Sequence, residues 1–137
     1  MRIMAIDYGD VRTGIAVSDL TQSITGDAFI IRETDPERLA DRICLEAEQR
    51  DVGTFVLGLP KNMDGSESFR AEKSRAFKTV LEEKSGLPVV LRDERRSSIE
   101  AHAILHASGR KEREHKKSVD AVAASLLLES YLDSLKV

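Results

Sequence analysis

Arg2 to Tyr8 (RIMAIDY), Gly9 to Gly14 (GDVRTG) and Ile15 to Val17 (IAV) decide the fold. The first segment reads as a strand. The second reads as a turn, with a glycine at each end and polar residues between them. The third continues into a second strand, and Ala28 to Arg32 (AFIIR) forms another. Short connections between successive strands predict an antiparallel meander.

Downstream the pattern changes. Asp35-Pro36 is a helix start, with an N-cap acid before a proline at the first helical position. Leu39, Ala40, Ile43, Cys44 and Ala47 follow at helical spacing and form one apolar face. Cys44 is read as part of that face and not as a nucleophile. Thr54 to Leu59 (TFVLGL) has the composition of a buried strand. Pro60 to Ser66 (PKNMDGS) is a loop, and a helix is expected from about Ser66 to Lys84, closed by Gly86 as its C-cap. Pro88 to Arg92 (PVVLR) is a second buried strand. Ser97 to Glu100 (SSIE) resembles a capping box, opening a helix to about Ala107. A last helix is expected over Ser118 to Leu135. The order β-β-β-α-β-α-β-α-α implies a meander extended by right-handed crossovers. The expected fold is α/β, with a five-stranded mixed sheet and helices on both faces.

The 137 residues suit one domain, residues 1–137. Proline and glycine total 11, which excludes collagen-like and low-complexity chains. A single cysteine excludes an intramolecular disulfide framework and a cysteine-rich zinc site. The apolar runs are far shorter than a membrane span. The start, MRIMAIDYGD, lacks a signal-peptide pattern because an acid arrives at position 7. A cytoplasmic protein is expected. Net charge is −3, unevenly spread: Arg110 to Lys117 (RKEREHKK) carries five basic and two acidic residues on an acidic body. Such a segment points to an anionic partner, and the plainer alternative is a solvated surface loop.

Three acids stand where acids are costly. Asp7 lies in the apolar first strand and shares a face with Ile3 and Ala5. Capping of the strand end is its alternative role. Asp93 and Glu94 follow the last strand, where site residues of open α/β sheets gather. Pairing with Arg92, Arg95 or Arg96 is theirs. Asp120 is the only charge between Ser118 and Leu128, on the face of Ala123, Ala124 and Leu127. Its alternative is complementing the helix dipole. Converging carboxylates without a Cys or His cluster suit Mg²⁺ or Mn²⁺. Such sites activate water and stabilise the leaving oxygen in phosphodiester cleavage. His102, His106 and His115 lack a metal-ligand pattern. An acid before a glycine-containing hairpin also occurs in actin-like ATPases and sugar kinases, but those need two such domains around a cleft.

The segments AIDYGDVRTGIAVSD, VLGLPKNMDGS, PVVLRDERRSSIEA and SVDAVAASLLLESYL, in this order and over nearly the whole chain, resemble the YqgF/RuvX family. The resemblance implies a ribonuclease-H-like fold and a bacterial metal-dependent nuclease. The implied role is maturation of the 5′ end of precursor 16S rRNA; an older one is Holliday-junction resolution. By position it implies Asp7, Glu94 of the DER motif and Asp120 as catalytic, metal-holding residues, with Asp93 as a further candidate ligand. Arg96-Ser97-Ser98 departs from the usual hydrophobic residue followed by Thr or Ser, and leaves the acids intact.

Nucleic-acid contacts are expected from Arg12 in the first turn and from Lys61 and Asn62, in a loop whose following helix start suits a phosphate. Arg95, Arg96, Arg110, Lys111, Arg113, Lys116 and Lys117 complete the set. Aromatics are only 4%, with no Trp, which argues against stacking platforms for single strands and for recognition through backbone and shape. The expected partner is structured RNA or branched DNA, with ribosome association implied by the rRNA role. The alternatives are a DNA-junction resolvase and a non-catalytic nucleic-acid-binding module.

Overall fold

A computed structural model of the chain describes residues 1–61, 64–93 and 112–136, with backbone alone over 112–118. Five strands form one sheet: β1 (Arg2–Asp7), β2 (Arg12–Ser18), β3 (Thr25–Arg32), β4 (Val52–Leu59) and β5 (Val89–Asp93). Helices α1 (Pro36–Gln49), α2 (Phe69–Ser85) and α3 (Glu112–Leu135) cover it. The strand order is β3-β2-β1-β4-β5. β3, β2 and β1 pair antiparallel, while β4 and β5 join parallel to β1 through α1 and α2. This is the mixed α/β sheet that the element order predicted. The helix expected over 97–107 lies outside the described residues. Among the described residues no helix is long and apolar enough to cross a membrane.

Period-two alternation divides the sheet between two cores. Met4, Ile6, Ile15, Val17, Phe55 and Leu57 point to one face and pack on Leu39, Ala40 and Ile43 of α1 and Phe77 and Leu81 of α2. Ile3, Ala5, Ala16 and Val56 point to the other and pack on Ala124, Leu127, Leu128 and Leu132 of α3. Each fully buried leucine here contributes about 1.5–3 kcal/mol relative to exposure. Cys44 packs half-buried against the first core, and burial, then Asp41, raises its thiol pKa, as suits a packing residue.

The caps act as their chemistry predicts. The Asp35 carboxylate accepts from the Arg38 amide at the start of α1, and Pro36 follows it. Gly86 ends α2 at φ +69°, a left-handed conformation that disfavours side chains, and its amide reaches the Glu82 carbonyl at 2.9 Å.

β3 and β4 begin earlier than expected, at Thr25 and Val52, and three other boundaries differ in ways that bear on the site. β2 begins at Arg12, so Gly14 lies within a strand and not at the end of a turn. The turn is shortened because buried Thr13 accepts the Gly9 amide with its hydroxyl and the ladder continues to Asp7↔Gly14. α2 begins at Phe69, three residues late, because Glu67 is held in a bridge with Lys61 and Asp64 accepts from the Ser66 amide and hydroxyl. α3 begins at Glu112, not Ser118. The backbone from 112 to 117 is therefore helical, which corrects the surface-loop alternative for that part of the basic segment. No Gly or Pro interrupts it, and its lysines, arginine and glutamates are favourable helix formers.

Candidate active site

Asp7 ends β1 in step with Ile3 and Ala5, so the alternation directs it to the α3 side of the sheet. Across the antiparallel ladder its partner is Gly14. Directly opposed residues present their side chains to the same face, and at Gly14 that space is taken by α3. A Cβ added there would lie 1.9 Å from the backbone carbonyl oxygen of Asp120 and 3.2 Å from the Ala121 amide nitrogen. Helix backbone thus rests on strand backbone, and Asp120 is seated over the residue beside Asp7. Two acids far apart in sequence are brought to one sheet end by a missing side chain.

Arg12, at the start of β2, completes this corner. Its Nε lies 3.3 Å from Oδ2 of Asp120, with side chains 34% and 24% exposed. The guanidinium offsets carboxylate charge in a partly desolvated place, where an isolated acid is costly. Sequence reasoning placed Arg12 among the nucleic-acid contacts and missed this pairing. It also took Gly14 as a turn residue. The available signal was a glycine inside a strand, which often marks close backbone approach.

Other expected residues lie farther out. Asp93 ends β5 in register with Leu59 and in step with Val89 and Leu91, on the sheet face covered by α1 and α2. The structure therefore does not bring it to Asp7 and Asp120. Arg92 turns to α3, where its guanidinium donates to the Ser130 hydroxyl and carbonyl. Lys61 follows β4 and bridges to Glu67. The Glu67 carboxyl is held below the usual range by its hydrogen bond from Arg75, with Lys61 adding a smaller pull. Glu94, Asn62, Arg95, Arg96, Arg110, Lys111, His102 and His106 lie outside the described residues, as do the side chains of Arg113, His115, Lys116 and Lys117.

Among the described residues no three Asp, Glu, His or Cys side chains form a metal-holding group. To hold an ion, Asp7 and Asp120 would need at least one more donor, and Glu94 is the expected third. The donor chemistry fits a hard cation: both are carboxylates, and Cys44 packs on the opposite face.

The chain is similar to known proteins over nearly its whole length. The RuvX family model, described as Holliday junction resolvase, matches residues 1–134. A Halothermothrix orenii protein named "Putative pre-16S rRNA nuclease" is 42% identical over 134 residues, covering 97% of this chain and 95% of its own. An Anaeromyxobacter dehalogenans protein of the same name is also 42% identical, covering 97% of both. Among solved structures, Thermus thermophilus RuvC in complex with a Holliday junction substrate superposes with a TM-score of 0.61 at 12% identity, over 99% of this chain and 98% of that one. Fowlpox virus resolvase with Holliday junction DNA gives 0.61 at 18% identity, over 99% and 100%. At such identities the likeness concerns the fold, which is the expected ribonuclease-H-like one. With a family match from residue 1 to 134 and relatives at 42% identity over nearly their whole length, this chain belongs to the RuvX family.

Proposed function

We propose that this chain is a one-domain metal-dependent nuclease that hydrolyses phosphodiester bonds in structured RNA, maturing the 5′ end of precursor 16S rRNA in the cytoplasm. The observation that carries the reading is the seating of Asp120 over Gly14, beside Asp7. The names of the relatives at 42% identity support the RNA substrate.

Asp7, Asp120 and Glu94 would hold Mg²⁺ or Mn²⁺. The ion's chemistry is activation of water and stabilisation of the leaving oxygen. Asp7 and Asp120 sit on a strand end and a helix that share packed backbone, so their spacing is set by rigid elements and not by a loop. Arg12 pairs with Asp120, and its planar guanidinium is suited to donate to a phosphate as well. The basic segment from Arg110 to Lys117 ends three residues before Asp120 in the sequence, which supports a role for it in holding RNA near the acids.

A second reading, cleavage of a DNA four-way junction, is favoured by the family's own description. The deciding experiment incubates the protein with a 5′-extended 16S precursor fragment and with a DNA junction, in Mg²⁺, Mn²⁺ or chelator. RNA cleavage that chelator stops, and that Asp7→Asn, Glu94→Gln and Asp120→Asn each abolish, supports the proposal. Cleavage of the junction alone overturns the RNA substrate. Absence of both cleavage and measurable ion binding leaves a non-catalytic module.

A further inference from the structure

Tyr8 directly follows Asp7, so the two side chains leave β1 on opposite faces of the sheet. Behind Asp7, on the side of α1 and α2, lies a cavity of about 530 Å³. Its walls are Tyr8, Pro36, Ala76, Phe77 and Val80, with Asp10, Thr34 and Lys73 supplying polar groups. The volume falls within the range of small-molecule sites, and so does the mixture of apolar walls with few polar groups.

The cavity is built around a flat surface. The rings of Tyr8 and Phe77 stack with centroids 4.5 Å apart and planes 4° from parallel. Phe77 is buried, while Tyr8 is half-exposed and borders the opening. At the rim the Lys73 ammonium meets Asp10 at 3.0 Å and lies 4.9 Å from the ring centre of Phe69, which is 67% exposed. The chain has six aromatic residues, and three of them gather at this corner. The low aromatic content counted against base stacking as an average, and the structure concentrates what there is at one place.

The chemistry selects among ligands. The Lys73 cation already faces a carboxylate, so a phosphate is poorly served. A planar group with donors and acceptors along its edge is well served: the Tyr8 ring to stack on, an ammonium and a phenol to donate, a carboxylate to accept. The Tyr8 hydroxyl, on the lining of the cavity, is a group that can donate or accept a hydrogen bond.

We propose that this cavity receives an unpaired nucleobase of the substrate strand, stacked on the open face of Tyr8, which Phe77 backs from the core, and edge-bonded by Lys73 and Asp10. The proposal rests on the nuclease reading for the identity of the strand. It adds a recognition element on the far face of the sheet, one residue from the candidate catalytic Asp7. Base–aromatic stacking is energetic enough for a loss of about fivefold or more in affinity when the base is removed.

The test is a scan. RNA strands carrying one abasic residue, walked through the unpaired positions around the cleavage site, are bound in chelator, where no turnover interferes. One position should lose at least about fivefold in affinity for the parent protein. Ala76→Phe, at an exposed helix position on the rim, fills the opening without touching the buried core. It should bind the intact strand more weakly and be indifferent to the abasic residue, while Ala76→Ser behaves as the parent. A flat scan in the parent, or an unchanged abasic penalty in Ala76→Phe, overturns the proposal. Saturable binding of mononucleotides alongside a flat scan assigns the cavity to a free nucleotide and likewise overturns it. Cleavage of the same strands in Mg²⁺ is measured separately. Cleavage with a flat scan rejects the cavity alone, and an abasic penalty without cleavage rejects the nuclease reading alone.

Discussion

Gly14→Ala should separate the two acids while leaving every ionisable group in place. The added Cβ would lie 1.9 Å from the Asp120 carbonyl oxygen, and Cβ atoms do not approach closer than 3.0 Å. The helix must retreat by at least the difference, about 1.1 Å. Farther along, α3 is pinned by Ala124, Leu127, Leu128 and Leu132, so it pivots and the retreat falls on its Asp120 end. Overpacking of this kind costs about 1–3 kcal/mol, or roughly 3–10 °C in melting temperature for a chain of this size. A displacement of about 1 Å in a catalytic group lowers the rate by about 100-fold. Gly26→Ala is the control, since its Cβ would meet nothing closer than 3.4 Å. The assays are thermal melts and single-turnover cleavage of the precursor RNA. A Gly14→Ala protein that melts within about 1–2 °C of the parent and cleaves at the parental rate would refute the close packing as the device that positions Asp120.

Other outcomes follow from the same structure. Asp120→Asn should abolish cleavage yet change stability in chelator by less than about 1 kcal/mol, because its pair with Arg12 is partly exposed; a large fall in melting temperature would make Asp120 a structural residue. Arg12→Gln should tighten Mg²⁺ binding by removing a competing cation and weaken RNA binding; titrations showing both unchanged would remove Arg12 from the site. Neutralising the five basic residues of Arg110 to Lys117 should flatten the salt dependence of RNA affinity, by up to about one logarithmic unit of slope for each phosphate that the segment no longer neutralises; an unchanged slope excludes the segment from binding. The Asp19 carboxyl is held below the usual range by hydrogen bonds from the Thr21 hydroxyl and then the Ser23 amide. A lowered folded pKa gives stability that is present above the unfolded value and lost as pH falls through the folded one. Asp19→Asn should therefore flatten the acid limb of melting temperature against pH below about 4, and an unaltered limb would show that this turn does not contribute.

The described elements and their order were legible in the chain alone. The caps at Asp35 and Gly86, the helical spacing of Leu39 to Ala47 and the alternation around Asp7 are local features. They depend on a residue's own conformational preferences and its near neighbours. Asp7 and Asp120 stood out as candidates for the same reason: a charge on an otherwise apolar face is visible without knowing what covers the face. Which residues meet was settled by packing. The register Asp7↔Gly14, the α3 backbone resting on Gly14, the Arg12–Asp120 pair and the cavity behind Tyr8 each join segments distant along the chain. Gly14 shows the reason most plainly. A hairpin glycine and a glycine beneath a helix are the same letter, and the difference lies in backbone from residues 120 and 121, placed there by the packing of α3 on the sheet.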